Sequence, residues 1–137
     1  MKQWLMVWLG LCALPLMASA CGVGTQTPEG YENVDVHHVY QHWRQGADAA
    51  IPFMIVDVRT VEEYKQGHIE GARLMPLQFL KKRWAELPRD RQLYVYCRSG
   101  RRSAEAAAFL AGHGYSRVEN MVGGIEAWRN AHYPVVH

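Results

Sequence analysis

The residues best suited to chemistry lie in the stretch YVYCRSGRRSAEAAAFL, residues 94–110. One cysteine, Cys97, ends an apolar run and is followed by a short loop rich in arginine, glycine and serine. The alanine-rich run after the loop is typical of a helix. Because the thiolate is the nucleophilic form of cysteine, the surroundings that lower the pKa of this thiol decide what it can do.

The loop offers three ways to stabilise a thiolate at Cys97. A helix that begins near Ser103 leaves unpaired backbone N–H groups at its N-terminus, and together with the helix dipole they favour an anion. Gly100 permits the dihedral angles with which a loop aims further amides at one point. Arginine side chains add positive charge. The predicted anion-binding residues are Arg98, Ser99, Gly100, Arg101, Arg102 and Ser103. The alternative is a structural cysteine beside solvated arginines.

Three chemistries use an activated cysteine in such a loop. A cysteine phosphatase needs an arginine after five intervening residues, but that position is Ser103, and Arg102 comes one residue too early. Thiol–disulfide exchange usually needs a Cys-x-x-Cys pair, and Gly100 occupies the second position. Sulfur transfer through a cysteine persulfide needs only one activated cysteine and a small anion-binding loop. The sequence therefore favours sulfur transfer, with no metal and no cofactor.

Alternating elements are predicted to position this loop. Short apolar runs predict parallel strands at residues 53–58, 72–75, 93–96 and 117–121. Helical patterns predict helices at residues 36–45, 77–87, 103–111 and 125–131, with a short helix after a Thr60–Glu63 capping box. The alternation indicates an α/β fold with a central parallel sheet and helices on both faces. Ligands bind beyond the carboxyl ends of such strands, where Cys97 falls.

The N-terminus has the pattern of an export signal. Residues 1–20 contain a basic start, an apolar run and a small-residue cleavage site, which predicts a secretory signal peptide rather than a membrane anchor. Cys21 would then be the first mature residue, a candidate for lipidation as in a bacterial lipoprotein, although the site equally suits the ordinary signal peptidase. We expect an exported, periplasmic protein, either free or lipid-anchored. Residues 21–30 are interpreted as a flexible leader and residues 31–137 as the folded domain.

Length and charge restrict the remaining possibilities. The chain of 137 residues is the size of one domain, and 49% of it is apolar and 20% charged. A net charge of +2 does not argue for nucleic acid as a partner. A monomer is the default expectation. His38 and His42 lie one helical turn apart, but the sequence supplies no further metal ligands beside them, so a solvated helix face is favoured over a metal site.

Three ordered motifs resemble the rhodanese family of sulfurtransferases. The family's active-site loop is similar to residues 97–103, CRSGRRS. Its first signature is similar to residues 57–72, DVRTVEEYKQGHIEGA, and its C-terminal signature to residues 118–135, VENMVGGIEAWRNAHYPV. The resemblance spans residues 31–135, nearly the whole predicted mature chain, and indicates the single-domain subgroup. Residues 73–75 depart from the family's usual sequence before Pro76.

The resemblance implies a function and residue roles. Cys97 would take the outer sulfur of thiosulfate and pass it to cyanide or a thiol. Asp57 and Arg59 would support the site, with Arg59 paired to Glu62 or Glu63. Arg98 and Arg101 would point outward to attract the anion, while Arg102 closes the loop. The alternatives are a non-enzymatic binding or persulfide-carrier module for a partner protein and, among enzymes, an arsenate or phosphate-ester hydrolase.

Overall fold

The computed structural model describes residues 24–137. Its strands are β1 (Gly24–Gln26), β2 (Glu32–Val34), β3 (Phe53–Asp57), β4 (Arg73–Leu74), β5 (Gln92–Tyr96) and β6 (Val118–Met121). Its α-helices are α1 (Val36–Trp43), α2 (Val61–Lys65), α3 (Leu77–Arg83), α4 (Arg101–Gly112) and α5 (Gly124–Asn130). Short 3-10 turns lie at Gly46–Asp48 and Trp84–Glu86. The predicted signal peptide and Cys21 lie outside the described residues.

The strands form one sheet in the order β1-β2-β6-β5-β3-β4. All neighbours pair in parallel except β1, which runs antiparallel to β2 at the edge. The central strand β5 is therefore covered by β6 on one side and β3 on the other. The predicted α/β fold with a mostly parallel sheet is confirmed. The carboxyl end of β5 lies between those of β6 and β3, near the middle of the sheet.

Side chains of β5 alternate between two cores, one on each face of the sheet. Leu93 and Val95 pack with residues of α3 and α4, whereas Tyr94 and Tyr96 pack with residues of α1 and α5. Because helices cover both faces of the sheet, the side chains that point to either face are apolar at residues 93–96 of β5. Cys97 continues the alternation toward α4 and is 1% exposed.

Two strands at one side of the sheet, β1 and β2, were not predicted. Glu32–Val34 form β2 although two of the three side chains are polar, because β2 lies between β1 and β6 rather than in an apolar run. The interpretation of residues 21–30 as a flexible leader does not hold at Gly24–Gln26, which form β1 and pair with β2. An unpaired edge of β2 would expose free N–H and C=O groups, and β1 covers them.

The helix boundaries follow their capping residues. Asp35 accepts a hydrogen bond from the backbone N–H of His38 and begins α1, as predicted. The predicted Thr60–Glu63 capping box is present at α2. Helix α4 begins at Arg101, two residues before the predicted start, because Gly100 takes a left-handed conformation (φ +103°) at its N-cap. Within residues 24–137, no helix has both the length and the apolar character needed to span a membrane.

Candidate active site

Cys97 directly follows β5 at the carboxyl end of the sheet. Its Sγ accepts a hydrogen bond from the backbone N–H of Gly100 at 3.1 Å, and the hydroxyl oxygen of Ser103 lies 3.4 Å away. Both donors belong to the loop and first turn that the sequence predicted to surround the sulfur. The left-handed Gly100 turns the chain back over Cys97, which aims its amide at the sulfur.

The pKa of Cys97 is the result of two opposing effects. Burial of the thiol raises its pKa, since the charged form loses hydration. Hydrogen bonds from the Ser103 hydroxyl and from the backbone N–H groups of Ser103, Gly100 and Ser99 act in the other direction and outweigh burial. The pKa of Cys97 is therefore lowered from its ordinary value, as expected of a nucleophilic cysteine.

The N-terminus of α5 donates hydrogen bonds to the backbone carbonyls of the active-site loop. The backbone N–H of Ile125 donates to the carbonyl of Cys97 at 2.9 Å, and that of Glu126 donates to the carbonyl of Arg98 at 3.1 Å. With its carbonyls bound to α5, the loop is free to direct its amides inward. Gly124 allows this approach, because a Cβ atom there would lie 2.4 Å from the carbonyl oxygen of Cys97.

The three arginines of the loop have different surroundings. Arg98 and Arg101 are exposed, in agreement with the outward orientation expected of them. The Arg98 guanidinium contacts Glu126 at 2.6 Å, and that pair lies in solvent. Arg102 donates to both carboxylate oxygens of Glu63, each at 2.8 Å. This bidentate pair joins α4 to α2 and gives Arg102 a structural contact.

Asp57 and Arg59 form a buried ion pair at the end of β3. Their side chains contact each other at 2.7 Å with 0% and 3% exposure. Tyr96 donates to Asp57 at 2.7 Å, and Arg59 donates to the carbonyl of Gly67 at 2.8 Å. The expected pairing of Arg59 with Glu62 or Glu63 is wrong, because Asp57 lies closer to the buried guanidinium and Glu63 is engaged by Arg102. Through these hydrogen bonds the pair connects Gly67, which follows α2, to Tyr96 of β5.

His38 and His42, singled out in the sequence, are engaged in protein contacts, and so is His68. His42 shares hydrogen bonds with the Tyr94 hydroxyl at 2.7 Å and the Ile51 carbonyl at 2.8 Å. His38 lies 3.1 Å from Glu119, and His68 contacts the carbonyl of Tyr64 at 2.9 Å. Across residues 24–137, no three histidine, cysteine or acidic side chains are arranged to hold a metal ion.

A cavity of about 750 Å³ adjoins the loop on the side of α2 and α3. Arg102 forms part of its lining, as does Val58, whose backbone N–H donates to the carbonyl of Tyr96 next to Cys97. Val61 and Phe79 leave 41% and 42% of their surface exposed there. The size is within the range of about 300–1,000 Å³ found for small-molecule sites.

Two residues near the cysteine were not recognised from the sequence. Gly124 had no predicted role in the site, although it permits the contact between α5 and the loop. Asn120 lies within β6, is 3% exposed and accepts a hydrogen bond from Ser103 at 2.6 Å. An asparagine inside a buried strand is the signal that could have identified it, since buried amides need hydrogen-bond partners.

Residues 38–131 match the family described as Rhodanese-like domain. The match includes the end of β5, the whole loop and the start of α5, which form the site described above. The chain therefore belongs to the family of rhodanese-like domains.

Several curated proteins with similar sequences are named as sulfurtransferases or as a putative sulfur carrier. A sulfurtransferase of Allochromatium vinosum is 45% identical over 83 residues, covering 61% of this chain and 78% of that protein. The thiosulfate sulfurtransferase PspE of Escherichia coli is 41% identical over 70 residues, covering 50% of this chain and 67% of that protein. The putative sulfur carrier protein YrkF of Bacillus subtilis is 38% identical over 86 residues, covering 63% of this chain and only 46% of that longer protein.

Solved structures share the fold. A rhodanese-related protein from Thermoplasma volcanium superposes with a TM-score of 0.68 at 31% identity, over 77% of this chain and 98% of that one. A rhodanese from E. coli, solved with anions, gives a TM-score of 0.54 at 34% identity, over 62% of this chain and 98% of that one. The fold and the family thus agree with the geometry around Cys97, and the relatives include sulfurtransferases and a protein named as a putative sulfur carrier.

Proposed function

We propose that the protein is a thiosulfate sulfurtransferase that moves sulfane sulfur from thiosulfate to cyanide or a thiol through a persulfide on Cys97. The observation that carries this proposal is the hydrogen bonding of Cys97, whose Sγ receives inward donors from Gly100 and Ser103. These hydrogen-bond donors stabilise a thiolate, and they would also stabilise the negative charge on the outer sulfur of a persulfide.

The first half-reaction loads the cysteine. The Cys97 thiolate attacks the outer sulfur of thiosulfate and forms a new S–S bond. The original S–S bond of thiosulfate breaks, and its electron pair leaves with sulfite. No proton, metal or redox cofactor is needed, because the charges balance between thiolate plus thiosulfate and persulfide plus sulfite. The exposed Arg98 and Arg101 would raise the local concentration of the thiosulfate anion.

The second half-reaction unloads the sulfur. The carbon of cyanide, or the thiolate of an acceptor, attacks the outer sulfur of the persulfide. The Cys97 thiolate leaves with the electron pair of the broken S–S bond, and thiocyanate or a new persulfide is released. The same hydrogen bonds that lower the pKa of Cys97 make it a better leaving group.

A persulfide-carrier module is the second candidate, supported by the similarity to a putative sulfur carrier of B. subtilis. In that case the Cys97 persulfide would be delivered to a partner protein, and small acceptors would react slowly. Turnover with cyanide, compared with transfer to candidate protein thiols, separates the two.

Phosphate-ester hydrolysis is not favoured by the site. The arginine that would bind a phosphoryl group is Arg102, one position early, and both of its terminal nitrogens contact Glu63. A generic aryl phosphate tests this, and appreciable turnover would overturn the reasoning from loop length.

Replacing Cys97 with alanine tests the assignment directly. The Cys97→Ala variant is expected to lose all transfer from thiosulfate to cyanide, because Cys97 is the only cysteine among residues 24–137. The assay is thiocyanate production with purified full-length protein. Full activity in the variant would refute the proposal.

For the location, we propose export to the periplasm with removal of residues 1–20, which leaves Cys21 either lipidated or free. A lipid on Cys21 would keep that thiol from forming a disulfide with Cys97 in an oxidising compartment. The mass of the mature N-terminus tests this: an acylated Cys21 supports the lipid anchor, and an unmodified Cys21 contradicts it.

A further inference from the structure

A chain of polar side chains runs from β2 through β6 to the reactive cysteine and is buried at Asn120 and Ser103. Asn33 on β2 accepts a hydrogen bond from the amide nitrogen of Asn120 on β6 at 2.9 Å. The amide oxygen of Asn120 accepts from the Ser103 hydroxyl at 2.6 Å, and the same hydroxyl lies 3.4 Å from the Sγ of Cys97. Ser103 and Asn120 are 0% and 3% exposed. The proposed sulfur chemistry does not by itself require either asparagine.

The Ser103 hydroxyl has two acceptors but only one proton. The amide oxygen of Asn120 lies at 2.6 Å, a short distance for an O–H···O hydrogen bond. The sulfur of Cys97 lies at 3.4 Å, within the range for a weaker hydrogen bond to sulfur. The two acceptors therefore share one donor, and the nearer acceptor is favoured.

The orientation of the Asn120 amide is fixed by its other neighbours. Its nitrogen faces the side-chain oxygen of Asn33 at 2.9 Å and the backbone carbonyl of Gly100 at 3.4 Å. The backbone carbonyl of Gly100 is an acceptor whatever the orientation of Asn33, so a flip of the Asn120 amide would place its oxygen against this carbonyl oxygen and lose that hydrogen bond. This contact favours the orientation in which the amide oxygen points to Ser103.

We propose that Asn120, oriented by Asn33, is a positioning residue that competes with Cys97 for the single hydroxyl proton of Ser103. The competition follows from the geometry alone, while its consequence for catalysis rests on the proposed sulfur transfer. A thiolate that receives less of this hydrogen bond is a stronger nucleophile for thiosulfate. A thiolate that accepts the full hydrogen bond from Ser103 is a better leaving group in the second half-reaction. Sharing the proton between Asn120 and Cys97 therefore keeps the thiolate reactive in the first step and a good leaving group in the second.

Charged groups around the cysteine stay constant in the test. They are the loop arginine Arg101 and three ion pairs: Arg98 with Glu126 of α5, Arg102 with Glu63 of α2, and Asp57 with Arg59 at the end of β3. Because none of them is altered, a change in the pKa of Cys97 reports on the hydrogen bond from Ser103.

The decisive experiment is a double-mutant cycle on the pKa of Cys97. The rate of alkylation by iodoacetamide is measured against pH in the full chain, and the Cys97 peptide is quantified by mass spectrometry so that other cysteines do not contribute. The four proteins are the wild type, Asn120→Ala, Ser103→Ala and the double variant. Such a cycle isolates the coupling between the two side chains.

Asn120→Ala is expected to lower the pKa of Cys97 by about half a unit to one unit, because Ser103 then donates fully to the sulfur. Ser103→Ala is expected to raise it, and the double variant should match Ser103→Ala. If Asn120→Ala raises the pKa or leaves it unchanged, Asn120 merely supports Ser103 and the proposal is wrong. An effect of Asn120→Ala that persists in the double variant contradicts it as well.

Asn33→Ala provides a second variant that is less buried. Its backbone pairing with Asn120 in the sheet does not depend on the side chain. Without the Asn33 oxygen the Asn120 amide can turn and donate to Ser103, so the pKa of Cys97 should fall by a smaller amount. An unchanged pKa would contradict the role given to Asn33. Since alkylation does not require sulfur transfer, a failure of the proposed activity and a failure of this competition are distinguishable.

Discussion

Glu63 has two functions through one carboxylate. Its Oε2 accepts a hydrogen bond from the backbone N–H of Thr60 at 3.0 Å and also contacts Arg102 at 2.8 Å. The hydrogen bonds from Arg102 are the main reason why the pKa of Glu63 falls to about 2, with a smaller contribution from Thr60. The capping contact was predictable from the sequence spacing. The contact with Arg102 was not, because it joins residues 39 positions apart.

The Glu63→Gln variant is expected to lose about 1 kcal/mol of stability at pH 7, after allowance for solvent at this partly exposed pair. The folded-state pKa of about 2 lies below the ordinary 4.5, so this contribution is present above pH 4.5 and is lost as pH falls toward 2. Denaturant unfolding at several pH values measures it. Glu62→Gln, a change at the exposed neighbouring carboxylate, is the control, and an equal loss in both variants would contradict the ion-pair explanation.

At the scale of elements, the contact between α5 and the active-site loop connects two of the three sequence motifs. The buried apolar runs predicted β3, β5 and β6 closely, because a central parallel strand has a strong sequence pattern. The close approach of Gly124 to Cys97 was not predictable, because it depends on two segments that meet only after the sheet has formed. The same reason applies to β2, whose polar residues form a strand only between neighbouring strands.

Gly124→Ala is expected to reduce sulfur transfer by about 100-fold, because the added Cβ would displace the carbonyls of Cys97 and Arg98 and with them the amides around the sulfur. Gly46→Ala is a matched control: the two glycines have φ values of +57° and +56°, but nothing lies within 4 Å of a Cβ at Gly46. Both variants pay about 1 kcal/mol for the left-handed conformation. Kinetics with thiosulfate and cyanide, together with thermal unfolding, measure the difference. Equal activities would show that the approach of α5 does not position the loop.

At the scale of the whole molecule, the stability of the domain depends on a largely buried carboxyl on β6 that lies beside His38 of α1. Burial raises the pKa of Glu119 to about 7, and the nearby Glu32 contributes further. Its Oε2 is within 3.1 Å of His38 Nε2, but the geometry does not form a hydrogen bond, and no other partner exists among the described residues. Burial also lowers the pKa of His38, which favours a neutral pair.

Glu119→Gln is expected to stabilise the protein at pH 8 by about 1–2 kcal/mol and to have little effect near pH 4. The folded-state pKa lies above the ordinary 4.5, so the stability associated with protonated Glu119 is present below pH 4.5 and is lost as pH rises through about 7. Glutamine resembles the protonated carboxyl and removes this loss. Denaturant unfolding from pH 4 to 8 measures it, with Glu70→Gln as the control for the loss of an exposed charge. A gain that is the same at every pH would contradict the explanation.

The most direct test of sulfur transfer is the intact mass of the full-length protein after incubation with thiosulfate and removal of excess donor. The expected result is a gain of one sulfur atom that maps to the Cys97 peptide, is released by cyanide as thiocyanate and is absent from Cys97→Ser. A protein that keeps its original mass while remaining folded, with Cys97 still open to alkylation, would contradict the persulfide mechanism.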